Sequence, residues 1–251
     1  MSTTPALQPP SAISAVSTIA RRELSSFFRL PVGWVAIALY LFLAGLVFIV
    51  ATLQPGGPAS MREFFTLSGW LLVPVAPAVS MRLLSEERRT GTIEPLLTAP
   101  VSDTCVVLGK YLGGMFFLAC MLLPTLLFVA ILYAVSSPAP DPGPIAAGYL
   151  CLILLGMFYL SIGVLVSSLT SNQTLAFLGT FFALVLIQML GGVGEYVPAV
   201  SRDIVRHLDV LARVADFAKG VIDLSHVVFF LCGSALFVVL TIVVMESRRW
   251  R

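Results

Sequence analysis

A helix needs about 20 consecutive apolar residues to cross the roughly 30 Å hydrocarbon core of a bilayer. This chain contains six such runs, at about 32–53, 64–84, 106–135, 145–168, 174–194 and 225–245. None has a charge near its centre, since Arg82 and Lys110 stand at run ends. In lipid every backbone amide and carbonyl must be satisfied inside its own segment, so runs of this kind are helices. The composition agrees: of 251 residues 58% are hydrophobic and 11% charged, against about 25% charged in a soluble domain. The expected fold is therefore all-α, a polytopic membrane protein with six transmembrane helices. The third run is long enough to begin below the membrane or to tilt.

Charge placement sets the expected orientation. With both termini inside, the inner side holds Arg21, Arg22, Arg29, Arg82, Arg88, Arg89, Lys110, Arg248, Arg249 and Arg251. The outer side holds Arg62, Arg202, Arg206, Arg213 and Lys219, so ten basic residues face five. Both termini are thus expected in the cytoplasm. A net charge of +2, with no basic run interleaved with aromatics, gives no footprint for nucleic acid. The first residues, MSTTPALQPPSAISAVST, lack the basic start, apolar core and cleavage site of a signal peptide. Residues 1–12 read as a disordered tail.

Two stretches are amphipathic. Before the first span, Ile13, Val16, Ala20, Leu24 and Phe27 share one helical face opposite Ser17, Arg21 and Ser25, and Pro31 ends the pattern. This reads as an interfacial helix over 13–30 that bends into the membrane. A soluble targeting peptide is the weaker reading, because a span follows directly. Between the fifth and sixth spans, Val205, Leu208, Leu211, Ala212, Ala215 and Ala218 recur at three- or four-residue steps between charges. That pattern predicts an amphipathic helix at the outer surface.

Within the spans, Pro74, Pro77 and Pro124 are expected to kink their helices. Gly109 with Gly113, and Gly163 with Ser167, are spaced for close helix packing. Gln188 is an amide deep in an apolar run, placed to make an interhelical hydrogen bond or to line a pathway. Cys105, Cys120, Cys151 and Cys232 are widely spaced in apolar sequence and read as packing residues.

Several chemistries have no motif. There is no GxxxxGK[ST] phosphate loop, so ATP is not bound in that way. His207 and His226 are isolated, without the pairing of a metal site. Glu86 and Glu87 are similar to the paired glutamates of CAAX-type intramembrane proteases, whose pattern is EExxxR. The position that should hold arginine is Gly91, and no span histidine lies at that depth on the inner side. The spans also lack the ionisable residues at mid-depth that ion-coupled transport requires. Any energy for transport is then expected to come from elsewhere.

The segment between the second and third spans is unlike the rest. SEERRTGTIEPLLTAPVSDTCVVLGKYLGG, residues 85–114, opens with Glu86, Glu87, Arg88 and Arg89. These suit an exposed extension of the second span, which Gly91 can end. Thr92 caps a short helix, IEPLLTA, in which Pro95 falls within the first turn and Leu96 and Leu97 are exposed. Pro100 stops that helix, and Ser102 or Asp103 caps the next. A plain turn with a solvated charge cluster is the bland reading. Exposed leucines beside charges of both signs favour a small docking surface for a soluble partner.

This segment resembles the signature of type-2 ABC exporter permeases. In that family a glutamate-rich end of span two leads through Gly-Thr to a short coupling helix, a proline and a lysine that opens span three. IARRELSSFFRLPVGWV resembles the family's N-terminal elbow helix, and FAKGVIDLSHVVFFL resembles the start of its last span. The resemblance covers residues 13–251 as one transmembrane domain. It is nearest the gliding-motility-associated permeases and their relative in nitrous-oxide-reductase maturation. Cys105 departs from it, where a polar or acidic residue is expected.

The resemblance implies a non-catalytic subunit of a bacterial inner membrane that dimerises, as a homo- or heterodimer. It would bind a separate ATPase that carries ATP and magnesium. Carried over residue by residue, the ATPase-docking surface would comprise Glu86, Glu87, Arg88, Gly91, Thr92, Glu94, Leu96 and Leu97. Glu87 and Arg88 would make polar contacts, while Leu96 and Leu97 would insert into a groove. A second reading makes the chain a membrane anchor or motor-coupling component that holds an ATPase without moving a solute. A transport route would expose Ser68, Ser80, Thr180 and Gln188 to a shared cavity, whereas an anchor would bury them.

Overall fold

The structure is a computed structural model that describes residues 11–54, 56–89, 102–193 and 209–249. Among these residues every regular element is helical. In chain order they are α1 (Ala12–Arg29), α2 (Pro31–Val47), α3 (Arg62–Ser80), α4 (Ser85–Arg89) and α5 (Asp103–Leu122). There follow α6 (Leu126–Val135), α7 (Pro142–Leu169), α8 (Gln173–Val193), α9 (Val210–Ala218) and α10 (Leu224–Arg249).

Five segments are long and apolar enough to cross a membrane: Pro31–Thr52, Arg62–Arg89, Asp103–Val135, Pro142–Leu169 and Leu224–Ser247. The remaining apolar run forms α8, whose apolar stretch Gln173–Met189 is shorter. Asp103–Val135 has 33 residues, about 50 Å of helix, so it exceeds the hydrocarbon layer as its length foretold. Its proline acts as anticipated: a 3₁₀ turn at Leu123–Thr125 interrupts the helix at Pro124. By contrast, α3 runs unbroken through Pro74 and Pro77 and ends at Ser80. The first span closes on a π-helical turn, Phe48–Thr52, that the sequence did not suggest.

The bundle is built around α7, the most enclosed of the candidate spans. It packs against α3, α5, α8, α9 and α10. Small residues set these crossings. A methyl on Gly163 would collide with the Ser80 side chain, and one on Gly148 with the Phe65 ring. Gly233 meets Phe158 at 2.7 Å in the same sense. Between helices in lipid no hydrophobic effect operates, so such backbone proximity supplies the dispersion contacts that hold the bundle. Away from the charged end, Phe48, Phe64, Phe65, Phe128 and Tyr149 stack or meet edge-on with centroids 5.0–6.4 Å apart.

The N-terminal helix packs closely on the third span. Here α1 runs parallel to α5. Ala12 lies by Cys105, Ile19 by Gly109, Glu23 by Gly113, and Phe27 stacks on Phe117 at 4.5 Å. A Cβ on Gly109 or Gly113 would fall 2.7 Å from Ile19 or Glu23, so these glycines serve the packing assigned to them. The buried face is Ala15, Ala20 and Phe27, whereas Ile13 is 84% exposed. Ser11 caps α1, whose first residue is Ala12. Leu30 is extended and Pro31 opens α2, which makes the bend at the expected place.

Large apolar side chains remain exposed on α2 and α8. They are Val32, Val35, Leu39, Phe42 and Leu46 on the first, with Ile49 on the π-helical turn that follows it, and Leu175, Leu178, Phe182, Leu186 and Met189 on the second. Apolar stripes of this extent belong against lipid or another subunit. Replacing Gly163 with leucine is expected to lower stability by about 1–3 kcal/mol by overpacking against Ser80. Phe42→Leu on the exposed stripe should change it by less than about 0.5 kcal/mol. Unfolding in detergent measures both.

Candidate docking site at the charged end

The charged segment is not the exposed helical extension that its sequence suggests. After Ser80 the chain makes a turn over 81–84, with Leu83 and Leu84 fully buried, and then forms the separate short helix α4. The reason lies in α7. The Ser167 hydroxyl donates to the Met81 carbonyl at 3.2 Å and accepts from the amides of Leu84 and Ser85 at 3.2 and 3.0 Å. One side chain thereby satisfies three backbone groups that the turn removes from helical bonding. Arg88 adds a hydrogen bond from its guanidinium to the Ser168 carbonyl.

The opposite side of α4 faces a buried lysine. Lys110 has 3% of its side chain exposed, and its ammonium lies 2.9 Å from Glu87 Oε1 and 3.3 Å from Glu23 Oε2. Each carboxylate side chain is 17% exposed. A buried ammonium without a counter-ion would be strongly disfavoured, so this pairing is a condition of the packing. Three elements meet here: α1 through Glu23, α4 through Glu87 and α5 through Lys110.

Glu86 and Arg89 are the more exposed charges of this segment. Arg82 and Glu86 pair at 3.0 Å one helical turn apart, with Glu86 43% exposed and Arg89 exposed. At the start of α5, Ser102 is the capping residue, accepting from the Cys105 amide at 3.4 Å. Cys105 itself is buried against α1, with its thiol toward the Ala12 carbonyl. That contact accounts for a small apolar side chain where a polar one was expected.

Of the expected docking residues, Glu86, Glu87 and Arg88 are thus placed together on α4. Glu87 and Arg88 are directed to groups of the chain's own helices. Gly91, Thr92, Glu94, Leu96 and Leu97, with the expected coupling helix, lie outside the described residues. The expected pathway residues are all interior: Ser68, Ser80 and Thr180 are fully buried and Gln188 is 2% exposed. Ser80 and Thr180 donate to carbonyls of their own helices. Gln188 Oε1 has no hydrogen-bond partner among the described residues, so the expected interhelical bond through that atom is not formed.

The far end differs from its expected form too. Of the amphipathic segment, α9 buries Val210, Arg213, Val214, Phe217 and Ala218, while Leu211, Ala212 and Ala215 are not buried. It wedges against α3 and α7, with Val214 3.6 Å from the Cβ position of Gly69. The apolar face is therefore rotated from the anticipated one, because Val214 and Phe217 supply more contact area than the alanines. Arg213 enters this face by lying 4.1 Å over the Phe229 ring. Burial lowers its pKa, and Asp209 and Asp223 oppose that effect. Asp223 is held below the usual carboxylate range by hydrogen bonds from Ser225.

Of the lysine junction, the sequence assigns no role to Glu23 and gives Lys110 only the opening of the third span. A signal for Glu23 existed: position 23 shares a helical face with 16, 20 and 27. Lys110→Met is expected to destabilise the protein by about 2 kcal/mol. That is below the 3–5 kcal/mol of a fully enclosed pair, since both carboxylates keep some contact with water. Lys110→Arg should retain most of the stability. Chemical unfolding of both variants in detergent checks this.

Comparison with known proteins follows the same lines. Residues 63–202 match the family described as ABC-2 family transporter protein. That region holds α3 to α8 and the charged segment. The chain is also 26% identical over 132 residues to the probable multidrug ABC transporter permease YbhR of Escherichia coli (strain K12). The match covers 49% of this chain and 35% of the relative, so the chain matches about a third of that protein's length. The counterpart of Escherichia coli O157:H7 matches to the same extent. On the family match over more than half its length, this chain belongs to the ABC-2 family transporter proteins, as a membrane permease subunit.

Proposed function

We propose that the chain is the transmembrane subunit of an ATP-driven exporter of a bacterial inner membrane. It works as a dimer with a separate ATPase that holds ATP and magnesium. In this reading α8 is the fifth of six spans, both termini are cytoplasmic, and α1 is the elbow helix. The observation that carries it is the bracing of α4 and α5 at one end of the bundle. Residues 90–101, which hold the expected coupling helix, start from an arm tied to α7 and α5 and finish at a helix capped by Ser102. A force applied to that loop would reach the bundle through both ends.

The arrangement also refines the roles. Glu87 and Arg88 act as internal braces, and the outer contacts fall to Glu86, Gly91, Thr92, Glu94, Leu96 and Leu97. Charge-free spans suit an amphiphile or a lipid-linked molecule better than a small ion. The multidrug designation of the relative in Escherichia coli is consistent with such a substrate class. Among subfamilies, we place the chain nearest the gliding-motility-associated permeases, on its elbow and last-span motifs.

A second reading has a specific observation in its favour. Ser68, Ser80, Thr180 and Gln188 are buried within the subunit, as an anchor that holds an ATPase without passing a solute would have them. Transport would then require these helices to part. Capture of the tagged chain from mild detergent, with mass spectrometry of bound proteins, tests the common core of both readings. An ATPase should be recovered with the native chain and at least tenfold less with Leu96→Asp/Leu97→Asp. Equal recovery, or no ATPase with the native chain, would count against docking at this loop.

A further inference from the structure

Lys110 has two carboxylate partners of different standing. Glu23 belongs to α1, which lies so close to α5 that a Cβ on Gly113 would fall 2.7 Å from the Glu23 Cβ. Its place beside Lys110 is set by helix packing. Glu87 stands on a helix of five residues that is tied to α7 by the Ser167 and Arg88 contacts. One partner is fixed and the other sits on the docking arm. Among the described residues, two carboxylates thus share one ammonium.

We propose that Glu23 is a positioning residue that makes the docking arm releasable, by keeping Lys110 neutralised when Glu87 departs. The inference rests on the reading of α4 as part of an arm that moves with a docked ATPase. With Glu23 present, withdrawal of Glu87 leaves a one-to-one pair of Lys110 and Glu23, and no buried ammonium is stranded. Without the Glu23 charge, Glu87 becomes the counter-ion of a lysine that is 3% exposed. Lifting the arm would then strand that lysine, so the arm is held more tightly. Removing the Glu87 charge has the reverse effect, because Lys110 keeps Glu23 and the arm loses its tie to α5 while keeping those to α7. The two substitutions therefore move the arm in opposite directions, although both delete one carboxylate from the same lysine.

Hydrogen exchange read by mass spectrometry on the purified full chain in detergent tests this, with peptides covering residues 82–89. Core peptides from α7 serve as the internal reference. Glu23→Gln should slow exchange of the arm relative to the native chain, and Glu87→Gln should speed it, each on the order of tenfold. Glu23→Asp, which keeps the charge, should exchange close to the native rate. If both substitutions speed the arm, or neither changes it, the proposal is overturned. It is overturned equally if Glu23→Gln loosens the α7 peptides too, since Glu23 then simply supports the fold. No ATPase is present in this measurement. Loss of docking in the capture experiment and loss of the exchange asymmetry are thus separate failures.

Discussion

A lysine ammonium out of reach of water needs a counter-ion, and the packing of Lys110 provides two. Much of the charged end depends on that requirement. It fixes which face α1 turns to α5, because Glu23 must lie inward with Ala20 and Phe27. It also fixes where α4 sits, because Glu87 must reach the same ammonium while Ser167 holds the preceding turn from the other side. A helix of five residues has no stability of its own. Here it is maintained by groups that α5 and α7 present to it.

This end of the molecule therefore differs in kind from the middle. Among the spans, contacts are mostly apolar and close, set by Gly148, Gly163 and Gly233 against Phe65, Ser80 and Phe158. Such contacts tolerate little deformation, since packed cores respond to displacement by discrete rearrangement. At the charged end the ties are hydrogen bonds and ion pairs at a partly watered boundary, which can exchange partners. The proposed function needs both: a stiff bundle to move, and a joint through which to move it. Ser68, Ser80, Thr180 and Gln188 belong to the stiff part, buried within the bundle.

The parts of this structure that depend on local sequence were readable from it. The run at 145–168 becomes Pro142–Leu169, three residues longer at its start and one at its end, with Asp141 as its cap and a proline at the first helical position. The bend at Leu30 and Pro31, the break at Pro124 and the cap at Ser102 follow from backbone chemistry within a few residues. What escaped depends on distant partners. Glu23 and Lys110 are 87 residues apart, and Ser85 and Ser167 are 82 apart. Read locally, EERR is a solvated charge run, and only α5 and α7 turn Glu87 and Arg88 inward. The buried face of α9 was misread for a related reason. Arginine at position 213 looks like a boundary of the apolar face until Phe229, on another helix, offers its ring. The family resemblance was legible in the segment over 85–114, and that segment falls within the matched region.

The central claim is that the end of the bundle carrying residues 82–110 receives a cytoplasmic ATPase. The most direct test places a photo-crosslinking amino acid at Leu97 in living cells, with a second variant bearing it at Ser137 in the loop after α6. Mass spectrometry then identifies the cross-linked proteins. The account predicts a nucleotide-binding subunit attached at position 97 and absent at 137. Attachment at 137, or no such subunit at 97, would contradict it.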